Sequence, residues 1–161
     1  MDTSIGVGLG EIAVSQDCDH ILVAFGLGSC IGIGAYDPVK GIAGLLHAVL
    51  PEPLNNSDMN STKYVKNGIV KLVDDMVNLG AVKERLVLRM AGGANMLTSP
   101  GLSKTFDIGT RNIAVAERVI TEQKLNLVSK SVGGNTGRTF RVYVVNGKMT
   151  IRIIGEKEAD F

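Results

Sequence analysis

With 161 residues, 45% hydrophobic and 20% charged, the chain has apolar material for a core and too little charge for a disordered segment. The near balance of 17 Lys and Arg against 16 acidic residues argues against a nucleic-acid binder or a polybasic membrane anchor. Absent tryptophan and 4% aromatics leave little to stack on bases or sugars.

Two cysteines, Cys18 and Cys30, make no disulfide framework, so a reduced compartment is the default. Asp2 and Glu11 stand where a secretory signal would be cationic and then apolar. No apolar run approaches the roughly 20 residues of a membrane span. No linker or composition break divides the chain, so residues 1–161 are expected to form one domain.

In chain order, residues 1–16 form a short strand region broken by Gly6, Gly8 and Gly10. A dinucleotide fingerprint fails at both glycine pairs. Glu11 and Ile31 stand where the third glycine belongs, and no helix follows Cys30. Cys18-Asp19-His20 reads as a surface turn. With Cys30 and His47 it could make a zinc set, but the spacing is unlike paired C-x₂-C and H-x₃₋₅-H ligands, so no metal is expected.

Residues 21–25 are an apolar run of strand length, ending in Gly26-Leu27-Gly28-Ser29-Cys30. Period 2 follows: Ile31, Ile33 and Ala35 fall on one face, Gly32, Gly34 and Tyr36 on the other. Asp37-Pro38-Val39-Lys40-Gly41 is turn chemistry, and residues 42–50 are a second apolar run. The whole predicts a hairpin. If residues 37–40 form its loop, Tyr36 faces Gly41 and Cys30 lies directly opposite His47. Opposed side chains share a face, about 4.5–5.5 Å apart at Cβ. An imidazole there can hold a thiol as its nucleophilic thiolate. Amides of the glycine turn, at Gly28 and Ser29, could receive the oxyanion of an acyl intermediate. A lone buried cysteine or histidine is more often plain core; the pairing beside Gly-x-Gly-Ser points to chemistry.

Residues 55–62 form a polar loop, a candidate flap, with Ser61 or Thr62 capping the next helix. Val65, Ile69, Leu72, Val73 and Met76 make its apolar stripe, and Gly80 stands just past its end. Residues 86–90 form a strand entering Gly92-Gly93, where the backbone passes close to other chain or to the site. Residues 98–109 form a loop carrying Phe106. Asp107 or Thr110 caps a second helix over 112–124, with Ile113, Ala116, Val119 and Ile120 on one face. Residues 125–132 and 139–145 are strands, and Asn146-Gly147 turns the latter into a strand ending near 154. The charged tail, 155–161, is expected to fray. Two helices among eight or nine short strands make an α+β fold.

Gly26-Leu27-Gly28-Ser29-Cys30, His47 and the following Leu50-Pro51 resemble the CheD family of chemoreceptor glutamine deamidases. So do Ala91-Gly92-Gly93-Ala94-Asn95-Met96, Ile108-Gly109-Thr110-Arg111-Asn112 and Gly133-Gly134-Asn135-Thr136-Gly137-Arg138, in the same order. The resemblance implies two packed, mixed or antiparallel β-sheets with helices outside, as in deamidating toxin domains. It implies a cytoplasmic chemotaxis enzyme that needs no cofactor and converts receptor glutamines to glutamates with Cys30 and His47. Its implied partners are the chemoreceptor cytoplasmic domain and a CheC-type phosphatase. Phe106, an aromatic in an otherwise polar loop, either tucks into the core or is the residue that phosphatase contacts. The chain departs at Ala24, where the family pattern has a threonine that orients the histidine. Any orienting bond must then come from a main-chain carbonyl or another residue. The rival expectation is a weakly active or inactive binding module that regulates a CheC-type phosphatase.

Overall fold

The computed structural model describes residues 1–54, 60–96 and 107–161. In order they form β1 (Thr3–Gly6), β2 (Ile12–Ser15), β3 (His20–Leu27), β4 (Ile31–Asp37), β5 (Ile42–Ala48) and α1 (Val65–Leu79). Then come β6 (Val87–Gly92), α2 (Ile108–Glu122), β7 (Asn126–Val132), β8 (Arg138–Tyr143), β9 (Met149–Ile153) and β10 (Ala159–Asp160). One sheet has the order β1-β3-β8-β9-β10 and the other β2-β5-β4-β6-β7. The β1–β3 and β6–β7 pairs are parallel and the others antiparallel. The α+β architecture of two packed sheets with helices outside is the one expected.

The alternation in β4 builds two layers. Ile31, Ile33 and Ala35 face the helices and pack with Ile69, Leu72 and Met76 of α1 and Ala116 and Val119 of α2. Cys30 and Tyr36 face the other sheet, among Leu22, Ala24, Leu27, Phe140 and Met149. Gly34 lets the sheets close: a Cβ there would lie 2.8 Å from both the Phe140 ring and the Met149 sulfur.

Three expectations need correction. No side chain caps α1, whose N-cap is Tyr64 rather than Ser61 or Thr62. The chain beyond β5 supplies the acceptors instead: Val65 N–H donates to Leu50 O at 2.7 Å and Lys66 N–H to Pro51 O at 3.2 Å. Helix α2 begins at Ile108, ahead of the expected 112, with no side-chain cap from Asp107. Gly109 there sits so close to the chain at 93–94 that a Cβ would meet Ala94 O at 2.4 Å. The tail does not fray: β10 pairs with β9, and the Phe161 ring meets Phe140 edge to face at 5.2 Å. Most of the expected flap at 55–62, and Phe106, lie outside the described residues.

Candidate active site

The glycine turn breaks β3 with a bulge. Ala24 pairs with Phe140, Leu27 with Arg138, and Gly26 between them has φ +65°. That positive φ suits glycine and turns the strand toward Cys30. Gly28 and Ser29 lie between β3 and β4, and Cys30 directly precedes β4.

The hairpin register differs from the expected one. Asp37 pairs with Ile42, and Gly32, not Cys30, stands opposite His47. The cause is Asp37, which remains in the strand instead of opening the loop. Its carboxylate accepts from Val39 N–H at 2.9 Å, Lys40 N–H at 3.2 Å, Val82 N–H at 2.9 Å and the Arg85 guanidinium at 2.9 and 3.1 Å. Gly41, at φ +67°, closes the turn by donating to Asp37 O at 2.8 Å. The offset is even, so Cys30 and His47 keep the same inward face, as diagonal rather than opposed neighbours.

His47 is 2% exposed. Its Nδ1 lies 2.9 Å from Val7 O. A carbonyl only accepts, so Nδ1 carries the hydrogen of this contact and Nε2 is the nitrogen left for other partners. Nε2 is buried and has no hydrogen-bond partner among the described residues. The histidine lines a cavity of about 370 Å³ with Gly6, Val7, Gly8, Leu9 and Phe25. Leu9 and Phe25 are exposed apolar side chains at its mouth. The backbone is pinned too, His47 N–H to Glu11 O at 3.0 Å and Gly10 N–H to His47 O at 2.7 Å.

Ala24 is fully buried in the layer that holds Cys30. The orienting bond expected from a main-chain carbonyl is present, with Val7 as the acceptor. Val7 reaches this place because β1 runs parallel to β3 and Val7 N–H continues the pairing onto Val23 O at 2.8 Å.

Burial pushes the Cys30 thiol up, and its own backbone N–H offsets this only in part. No hydrogen bond joins it to His47, and burial favours the neutral thiol over the thiolate expected from direct opposition. The wall behind it is backbone. Gly93 N–H donates to Cys30 O and Ala94 N–H to Gly28 O, both at 2.8 Å. A Cβ on Gly92 would lie 2.1 Å from Cys30 O, so the double glycine serves close packing beside the site. Cys18 is exposed in a turn, and among the described residues no group is arranged to hold a metal ion.

Two polar residues here carried no role in the sequence reading. Arg138, 7% exposed, donates from Nη1 to Gly92 O at 3.2 Å, while its Nε has no partner among the described residues. Burial alone lowers its pKa. Asn112, fully buried, donates from Nδ2 to Ser29 O at 2.8 Å and Val49 O at 3.0 Å. A signal for Asn112 existed: it continues the Ala116–Val119 stripe at helical spacing, where an amide must have buried partners.

Fold and site together define a two-sheet α+β domain with a buried cysteine and a carbonyl-anchored histidine on one inward face. The CheD chemotactic sensory transduction family model matches residues 49–153. "Probable chemoreceptor glutamine deamidase CheD" of Symbiobacterium thermophilum is 36% identical over 94% of this chain and 93% of its own. The protein of that name from Thermococcus kodakarensis is 38% identical over 92% of this chain and 91% of its own. The chain belongs to the CheD family. The fold is also that of the Bacillus licheniformis hypothetical protein YfiH, at TM-score 0.53 and 12% identity over 83% of this chain and 61% of that one.

Proposed function

We propose that this protein hydrolyses glutamine side chains of chemoreceptors to glutamate, with Cys30 as nucleophile and His47 as base. The observation that carries the reading is the buried, unpartnered Nε2 of a histidine anchored through Nδ1, on the inward face that also holds Cys30. The names of the relatives supply the substrate class.

Because the resting thiol is neutral, attack and proton transfer go together. His47 Nε2 takes the proton as Sγ bonds to the carboxamide carbon. Main-chain N–H groups at Ser29 and Cys30 receive the oxyanion. His47 returns the proton to the departing ammonia, leaving a thioester. Water, deprotonated by His47, attacks that thioester, releasing glutamate and restoring the thiol. The product gains a negative charge that a receptor can read out. No step requires a cofactor.

On this reading the protein works in the cytoplasm on receptor cytoplasmic domains and docks on a CheC-type phosphatase. No described helix is long and apolar enough to cross a membrane. The neutral, unpaired thiol also favours a second reading, a slow enzyme acting mainly by binding that phosphatase. Mass spectrometry of a receptor cytoplasmic fragment incubated with the protein decides between them. Conversion of glutamine to glutamate over repeated turnovers supports the enzyme; conversion short of one turnover by a protein that still binds the phosphatase supports the second reading.

A further inference from the structure

We propose that Asn112 is a positioning residue that sets the oxyanion-binding peptide between Ser29 and Cys30, an inference that rests on Cys30 being the nucleophile. In a trans peptide the carbonyl and the next N–H point to opposite sides. Asn112 Nδ2 holds Ser29 O at 2.8 Å from the helix side. The Cys30 N–H therefore points away from α2, toward the inward layer. It makes no main-chain hydrogen bond among the described residues. A free N–H beside the attacking atom is what a tetrahedral oxyanion needs.

The second bond sets the spacing. Continuing the register of Ile31 with Ala48 places Val49 opposite Cys30. By holding Val49 O at 3.0 Å as well, Asn112 ties the Cys30 loop to the strand that carries His47. Both acceptors are carbonyls, so the amide nitrogen must face them. This leaves Oδ1 buried with no partner among the described residues. Nδ2 gives its hydrogens to these two carbonyls, which would lose this partner if the residue were aliphatic.

The test separates chemistry that develops an oxyanion from chemistry that does not. In a Cys18→Ser background only Cys30 can be alkylated. Iodoacetamide reacts by displacing iodide at carbon and builds no oxyanion. Asn112→Leu keeps the side-chain size and removes both donors. The expected result is a fall in deamidation kcat of about tenfold to a hundredfold, with KM and the alkylation rate within about twofold of the parent. Asn112→Ser, with one donor, should show the same split with a smaller fall, and it decides the matter if the leucine variant does not fold. A folded variant with unchanged kcat overturns the inference. So does a parallel fall in deamidation and alkylation, which would mark Asn112 as merely structural. Cys30→Ala in the same deamidation assay keeps the two claims apart, since its loss of activity upholds the nucleophile whichever way Asn112 falls.

Discussion

The two sides of the β2-β5-β4-β6-β7 sheet are built differently. The side facing α1 and α2 is mostly aliphatic, with Ile31, Ile33, Leu46, Ile69, Leu72 and Met76 all fully buried and Asn112 of α2 a buried polar exception. The side facing the other sheet contains glycines, a cysteine, a histidine and a tyrosine beside its aliphatic residues. His47 Nε2 there and Arg138 Nε on β8 of the facing sheet lack hydrogen-bond partners among the described residues, as does Asn112 Oδ1 on the helix side. Close-packed aliphatic surface supplies stability. Buried polar atoms without partners cost stability and are retained where chemistry uses them. One strand, β4, serves both because its side chains alternate.

The comparison breaks first at His47. His47→Ala should lower the deamidation rate by about 10²–10⁴-fold with little change in the melting temperature. Combining it with Cys30→Ala should add almost nothing, because the two act as a unit. Leu72→Ala tests the other side. It leaves a cavity under α1 and should cost about 2–5 kcal/mol. The melt should move by several degrees while the rate per folded molecule, measured well below the melt, stays near that of the parent.

A smaller effect belongs to the turn that sets the register. Burial alone would push the Asp37 carboxyl up. Arg85 and the N–H groups of Val82, Lys40 and Val39 outweigh that and hold it well below the usual carboxylate range. A depressed carboxylate contributes stability that is present above its unfolded pKa, about 3.9, and fades as pH falls toward the folded value. Asp37→Asn should therefore be less stable at neutral pH and lose less than the parent on acidification below about pH 4. Urea midpoints across that range check it.

The smallest effect is expected at Ala24. Val7 O already orients His47, and position 24 is fully buried. Ala24→Thr should leave the single-turnover rate within about twofold of the parent, or lower it through crowding. A clear rise would mean the carbonyl alone holds the ring poorly.

Much of this was legible in the sequence because it is local. The period-2 pattern of β4, the helical stripe of α1, the Asn146-Gly147 turn and the thiol and imidazole on one face all follow from neighbours in the chain. What was illegible depends on distant partners. Asp37, whose place in the strand sets the register, is held in part by Arg85 and Val82, more than 40 residues away. The anchor of His47 came from a carbonyl 40 residues away, which no side-chain pattern encodes. The tail found an edge strand and the Phe140 ring. Asn112 and Arg138 stood within recognised motifs, but their acceptors are main-chain carbonyls brought together only by folding.

The central claim is that the inward layer is catalytic because Cys30 attacks the amide. The direct test is the initial rate at which Cys30→Ala converts glutamine to glutamate on a receptor cytoplasmic fragment, read by mass spectrometry beside the parent at matched folded concentration. The account predicts no conversion above the fragment alone. Conversion at a rate near that of the parent would contradict it.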